Sequence, residues 1–256
     1  MNAPLLEIAS LQKRFLGLLA LDDVSFVLQA GEITSLIGPN GAGKTTLFNC
    51  ITGMIAPTAG AVRFDGRDIA GMAAHKISRC GIARTFQNLA LFGGLTVLEN
   101  LMVGAYHQGS TGLLQGAFLS PRARREQREA ENAARETLAF LGLDSAAGIS
   151  PAELPYGRQK QIEFGRALMQ KARLLLLDEP MAGMSASEKS EMSELIRRVR
   201  RDLGVTVLIV EHDIPVIMNI SDKIVVLDFG RKLAEGTPQD VRSNPAVIAA
   251  YLGDEA

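Results

Sequence analysis

The segment GPNGAGKTT, Gly38 to Thr46, fits the spacing G-x-x-x-x-G-K-[ST] through Gly38, Gly43, Lys44 and Thr45. Small residues at Gly38, Gly41, Ala42 and Gly43, with Pro39 and Asn40 among them, let backbone N–H groups curl around an anion. The Lys44 ammonium then reaches the β- and γ-phosphates of a nucleotide, and the Thr45 hydroxyl, followed by Thr46, offers a hard oxygen to Mg2+. A helix that begins near Gly43 turns its positive end toward the same anion. A second chemistry-bearing segment is LLLLDEP, which ends in Asp178 and Glu179. An apolar strand closing on two acids is a weak signal alone. Downstream of a phosphate loop it supplies Asp178 to hold Mg2+ through the ion's water shell, and Glu179 to orient and polarise an attacking water.

These residues need a rigid frame, and the rest of the chain reads as one. Short β-branched runs alternate with helical patterns and Gly-rich turns, the pattern of an α/β protein. ITSLIG at 33–38 reads as a strand entering the loop, and KTTLFNCITGM as the helix leaving it. RLLLLDEP (173–180), VTVLIVEHD (205–213) and KIVVLDFG (223–230) read as further strands. The first two lack polar alternation, as expected when helices cover both faces of a parallel sheet. From about 95 to 170 the chain turns mostly helical. SPRARREQREAENAARETLAFLGL is a solvated helix with Arg and Glu at pairing distance, apolar at Leu138, Phe140, Leu141 and Leu143. GSTGLLQGAFLSP (109–121) reads as a loop or insertion, and GTPQDVRSNPAVIAAYLG as a tail helix capped by Thr237 with Pro238 first inside it.

The bulk composition sets limits. With 256 residues, 47% apolar and 21% charged, the chain can bury a substantial core. A formal net charge of −1 gives no argument for nucleic acid or an anionic surface. Cys50 and Cys80 follow no metal spacing. No secretory signal is visible at the N-terminus, and no apolar run approaches the ~20 residues of a membrane span, so a membrane role must come through a partner.

Between the two motifs lies LPYGRQKQIEFGRAL, and the three together resemble the nucleotide-binding subunit of an ABC transporter over essentially the whole chain. That resemblance implies an ABC-type P-loop fold: a mainly parallel core sheet, an N-terminal antiparallel β region and an α-helical subdomain. The RecA-like core would span about 1–87 and 170–256, the helical subdomain about 88–169. It implies an ATPase using ATP and Mg2+. Phe15 in KRFLGLLALDDVSF would stack on adenine, and Gln87 in RTFQN would approach Mg2+ and the attacking water. His212 in IVEHD would contact the γ-phosphate. LPYGRQ stands where the family carries Leu-Ser-Gly-Gly-Gln, so Tyr156 and Gly157 would meet ATP held by a second subunit in a head-to-tail pair. Pro155 removes the serine hydroxyl, but Gly157 and a helix end remain to face the anion. Ser185 in MAGMS replaces an aspartate that reports across the dimer.

Within the family, GIARTFQN, the long segment after Gln87, AGM and NPAVIAAYLG are most similar to branched-chain amino acid importers. Urea and amide importers share much of this pattern, and a dimerising module with weak hydrolysis stays open through Pro155 and Ser185. The implied partners are integral membrane permease subunits, a second ATP-binding subunit, identical or not, and indirectly a periplasmic or extracellular binding protein. The implied location is the cytoplasmic face of the membrane. LALFGGLTVLENLMVG, read as helical, is the expected docking surface for a permease helix.

Overall fold

The computed structural model describes residues 3–85, 89–105 and 121–252. Its N-terminal part is antiparallel. β1 (Leu6–Phe15) and β2 (Leu18–Leu28) form an antiparallel hairpin paired from Leu6↔Leu28 to Phe15↔Leu18, with register shifts between Ile8 and Arg14, and β4 (Ala59–Phe64) pairs with the other side of β1. The short β5 (Arg67–Asp68) completes the order β2-β1-β4-β5.

The second sheet has the order β10-β9-β3-β8-β7-β6. β3 (Ile33–Ile37), β6 (Ile82–Arg84), β7 (Leu174–Asp178), β8 (Thr206–Val210) and β9 (Lys223–Asp228) run parallel, and β10 (Arg231–Gly236) turns back along β9. The runs without polar alternation lie at its centre because successive side chains point to opposite faces and both faces are covered. Leu174, Leu176, Leu208 and Val210 pack with Leu6, Ile8 and Leu21 of the first sheet and with Leu47 and Phe48 of α1 (Lys44–Ile51). Leu175, Leu177, Val207 and Ile209 face the other way. They meet Val97 and Leu101 of α3 (Val97–Ala105), Leu138 of α4 (Pro121–Leu141), Ile162 and Phe164 of α5 (Tyr156–Leu168), and Ile196 of α6 (Ala186–Leu203). Each fully buried side chain of this kind contributes about 1.5–3 kcal/mol relative to exposure. A third cluster joins Ile37, Ile224 and Val226 to α7 (Ile214–Ile220), α8 (Pro238–Arg242) and α9 (Pro245–Leu252) through Ile217, Val241 and Val247. α2 (Ala74–Arg79) leads into β6.

Helix ends follow local chemistry. The Thr237 hydroxyl accepts from the Asp240 amide in a capping box with Pro238 first inside α8, as the tail suggests, but that helix stops at Arg242 and a second starts at Pro245. In α4, Arg125 and Arg135 pair with Glu129 and Glu131 at 2.8 Å across one turn. LALFGGLTVLENLMVG is helical only from Val97. Thr96 and Glu99 form a reciprocal cap at that point. Before it, the buried Asn100 amide binds the backbone of Phe92, Leu95 and Thr96 and fixes a loop. The GSTGLLQGAFLSP reading falls outside the described residues up to its final Pro121, which opens α4. Among the described residues no helix is long and apolar enough to cross a membrane. Cys50 and Cys80 are free thiols, and burial pushes that of Cys50 up to about 11.

Candidate active site

Parallel pairing brings the chemistry to one edge. Leu36, Val210 and Asp178 lie in one row across β3, β8 and β7, so Gly38, His212 and Glu179 follow at the same carboxyl ends of the strands. In open α/β sheets that edge is where ligands bind. Gly38 and Gly43 shape the loop between β3 and α1, with φ of 152° and 99°. A Cβ on Gly38 would lie 2.1 Å from the Leu227 carbonyl, and one on Gly43 would lie 2.7 Å from the Ala20 carbonyl. The turn is thus wedged between β9 and β2. Gly38→Ala should lower unfolding free energy by on the order of 1–3 kcal/mol from overpacking, a shift readable in a denaturant titration.

Lys44 opens α1, and its ammonium donates to the carbonyls of Gly38 at 2.6 Å and Pro39 at 2.9 Å. Burial lowers the Lys44 pKa, while the Glu179 and Asp178 carboxylates pull it back up. The cation and both acids therefore share one neighbourhood. No side chain caps α1 and its first turn carries no acid, so the Lys44, Thr45 and Thr46 amides suit a phosphate. Ala42 is buried under the loop while Asn40 and Gly41 face solvent. The phenol of Tyr251, near the end of α9, hydrogen-bonds the Gly38 backbone, and burial pushes it up to about 12.

Asp178 is buried and ion-paired to Arg84 at 2.8 Å. Glu179 has φ 49°, a left-handed conformation, and its amide donates to Val210 O at 2.9 Å. Strain of this kind collects where geometry matters to function. Among the described residues no group of three or more His, Cys, Asp or Glu could hold a metal ion. The Asp178 carboxylate and Thr45 hydroxyl do fit Mg2+, which takes few protein oxygens and completes its shell with phosphate and water.

Phe15 closes β1 beside the hairpin tip, 42% exposed, with Lys13 Nζ 4.9 Å from its ring centroid. An open aromatic next to the strand that backs the loop is suited to stacking. His212 leaves β8 with its side chain 69% exposed and Nδ1 3.9 Å from Glu211 Oε2. Gln87 lies outside the described residues.

The family model for ABC transporters matches residues 21–182. The chain belongs to the ABC transporter family. A second model, the branched-chain amino acid ATP-binding cassette transporter, matches residues 231–256. The high-affinity branched-chain amino acid transport ATP-binding protein BraF of Pseudomonas aeruginosa is 46% identical over 99% of this chain and all of its own. LivG of Escherichia coli K12, with the same descriptive name, is 44% identical over the same shares. Among solved structures, the ADP conformation of an ATP-binding cassette of an ABC transporter is similar with TM-score 0.85 and 33% identity, covering 98% of this chain and all of that one. A dimeric cassette bound to ADP and Pi is similar with TM-score 0.76 and 25% identity, over 91% of this chain and 98% of its own. ABC cassettes bind nucleotide, dimerise, and are ATPases coupled to transport through membrane permeases.

The segment LPYGRQ turns into α5 at Tyr156. Pro155 takes the N-cap position, and its carbonyl accepts from the Arg158 and Gln159 amides at 3.0 and 3.1 Å. The Gly157 amide, expected to face a phosphate, donates to Glu188 Oε1 at 3.2 Å. The Tyr156 ring leans over Gly183. Arg158, with its side chain 41% exposed, donates to Gln161 Oε1 at 2.9 Å and lies 3.7 Å from Glu191.

Three structural roles escaped the sequence reading. Ser185 caps α6 in a reciprocal box with Glu188, for which S-x-x-E was a readable signal. The buried Glu211 accepts from the Met181 amide at 2.8 Å, fixing the segment after Glu179; burial lifts its pKa against that donation. Arg84 reaches Asp178 from the neighbouring strand, and nothing local announced it.

Proposed function

We propose that this chain hydrolyses ATP with Mg2+ to power uptake of branched-chain amino acids through a membrane permease, from the cytoplasmic face of the membrane. The match of its C-terminal segment to the branched-chain model carries the substrate class, on a chain similar along its whole length to branched-chain ATP-binding proteins. The meeting of Lys44, Asp178 and Glu179 at one sheet edge supports the chemistry. The loop amides from Gly38 to Thr46 and the Lys44 ammonium hold the β- and γ-phosphates, and Phe15 stacks on adenine. Asp178 and Thr45, with Gln87, would hold Mg2+, which would supply positive charge to offset that of the phosphates. Glu179 accepts the proton of the attacking water, and His212 contacts the γ-phosphate.

Two subunits, identical or not, pair head to tail, and Gly157 and Tyr156 of one face the ATP of the other. The γ-phosphate there takes the Gly157 amide from Glu188. The division into a RecA-like core (about 1–87 and 170–256) and a helical subdomain (about 88–169) belongs to this reading, as does permease docking on 89–104. A periplasmic or extracellular binding protein delivers the substrate.

The test is the purified transporter in proteoliposomes with its binding protein. Leucine, isoleucine or valine should stimulate phosphate release and enter the vesicles with ATP, while urea and short amides should do neither. Stimulation by urea alone would move the assignment to an amide importer. ATP-dependent dimerisation without turnover would leave a nucleotide-switched module. Pro155→Ser should change the ATPase rate by less than about tenfold, since one hydrogen bond contributes roughly 0.5–1.5 kcal/mol. A hundredfold fall, about 2.7 kcal/mol, would show instead that the proline shapes the start of α5.

A further inference from the structure

Arg84 ends β6, three positions before Gln87. Its side chain is 9% exposed, against Asp178 at 6%. Nη2 donates to Asp178 Oδ2 at 2.8 Å, while Nη1 donates to Asn49 Oδ1 at 2.7 Å and Thr52 Oγ1 at 3.3 Å. The guanidinium carbon lies 5.5 Å from the centroid of the Phe48 ring. One buried cation thus joins the helix that starts at Lys44 to the carboxylate at the end of β7. Asn49 and Phe48 lie within α1, and Thr52 is its C-cap.

We propose that Arg84 is a positioning residue of the ATPase site. It holds Oδ2 of the buried Asp178 carboxylate, so that Oδ1 is the oxygen left for the metal's water shell. It also locks that carboxylate to α1, so two of the residues assigned to the Mg2+ site, Thr45 and Asp178, keep a fixed spacing. A buried ion pair alone would be weak grounds, because such pairs are often replaceable by apolar packing. Here the planar fork is divided between two elements that both carry nucleotide-site residues, a geometry a lysine point charge cannot reproduce. Outer partners of metal-holding groups commonly act in this way. The inference rests on the reading of Lys44, Asp178 and Glu179 as the ATPase site.

The test uses the full chain and three variants, Arg84→Met, Arg84→Lys and Asn49→Ala. Steady phosphate release is measured against free Mg2+, and binding of a fluorescent ATP analogue is measured with Mg2+ and with a chelator. Arg84→Met should raise the half-saturating Mg2+ concentration and lower kcat by about tenfold or more, with metal-free nucleotide affinity changed less than about threefold. Arg84→Lys should recover part of both losses, and Asn49→Ala should shift the Mg2+ curve in the same direction by less.

A Mg2+ curve and kcat equal to wild type in a less stable Arg84→Met would overturn the proposal, leaving Arg84 a fold-holding residue. Tighter Mg2+ binding in that variant would overturn it too, because Arg84 would then compete with the metal. If Arg84→Met does not fold, unchanged Mg2+ curves in both Arg84→Lys and Asn49→Ala overturn it equally. Glu179→Gln separates the two levels. Retained turnover there sinks the ATPase reading and this inference together. Lost turnover beside unchanged Arg84 and Asn49 curves sinks this inference alone.

Discussion

Glu179→Gln should reduce steady phosphate release at least about a hundredfold, a loss of roughly 2.7 kcal/mol in transition-state stabilisation, while ATP binding persists. The substitution is nearly isosteric, so the left-handed backbone at Glu179 and its amide bond to Val210 stay as they are. What changes is the loss of a carboxylate that can accept a proton from water. The groups proposed to hold phosphate, Lys44 and the first-turn amides of α1, are untouched. Removing one negative charge close to the γ-phosphate favours the bound anion if it has any effect. The variant should therefore accumulate an ATP-bound pair of subunits, visible as a mass shift in size-exclusion chromatography with ATP and absent with ADP. Undiminished turnover would remove Glu179 from the reaction and point to water activation by another group.

What could be read in advance was what chemistry spaces locally. The phosphate loop requires its small residues, lysine and threonine at fixed intervals, so Gly38 to Thr46 stood out as a string of letters. Thr237 and Pro238 announced α8 in the same way. The sheet was legible because LLLL and VTVLIV can stay apolar throughout only where both faces are covered, and Leu174 and Leu175 do go to opposite cores. Long-range pairing was not legible. Arg84 meets Asp178 because β6 lies beside β7, with Arg84 opposite Leu176, and no interval in the sequence encodes that adjacency. Apolar density also misled. Residues 89–96 read as helix, yet Gly93 and Gly94 together with the T-x-x-E box at Thr96 and Glu99 set the helix start at Val97. Ser185 was weighed only as a missing aspartate, although the same letters spell a helix cap.

Lys44→Ala should separate binding from chemistry in the opposite direction to Glu179→Gln. The Lys44 ammonium is the cation set among the Asp178 and Glu179 carboxylates, and it also bridges two loop carbonyls. Two effects follow from its removal. Losing the bridge loosens the loop, worth about 0.5–1.5 kcal/mol per hydrogen bond, whereas losing a charged contact to phosphate costs about 1.5–3 kcal/mol. The second is the larger, and repulsion between the remaining acids and the incoming phosphates adds to it. ATP affinity should therefore fall by roughly 10- to 100-fold, while alanine, the strongest helix former, preserves the first turn of α1. Calorimetric titration with ATP gives the affinity, and a thermal melt without nucleotide shows whether the fold survives. A melting temperature near wild type with affinity lost assigns the effect to the phosphate contact. Unchanged affinity would mean that the loop amides and the α1 N-terminus hold the nucleotide without the lysine, which would reduce Lys44 to a brace for Gly38 and Pro39.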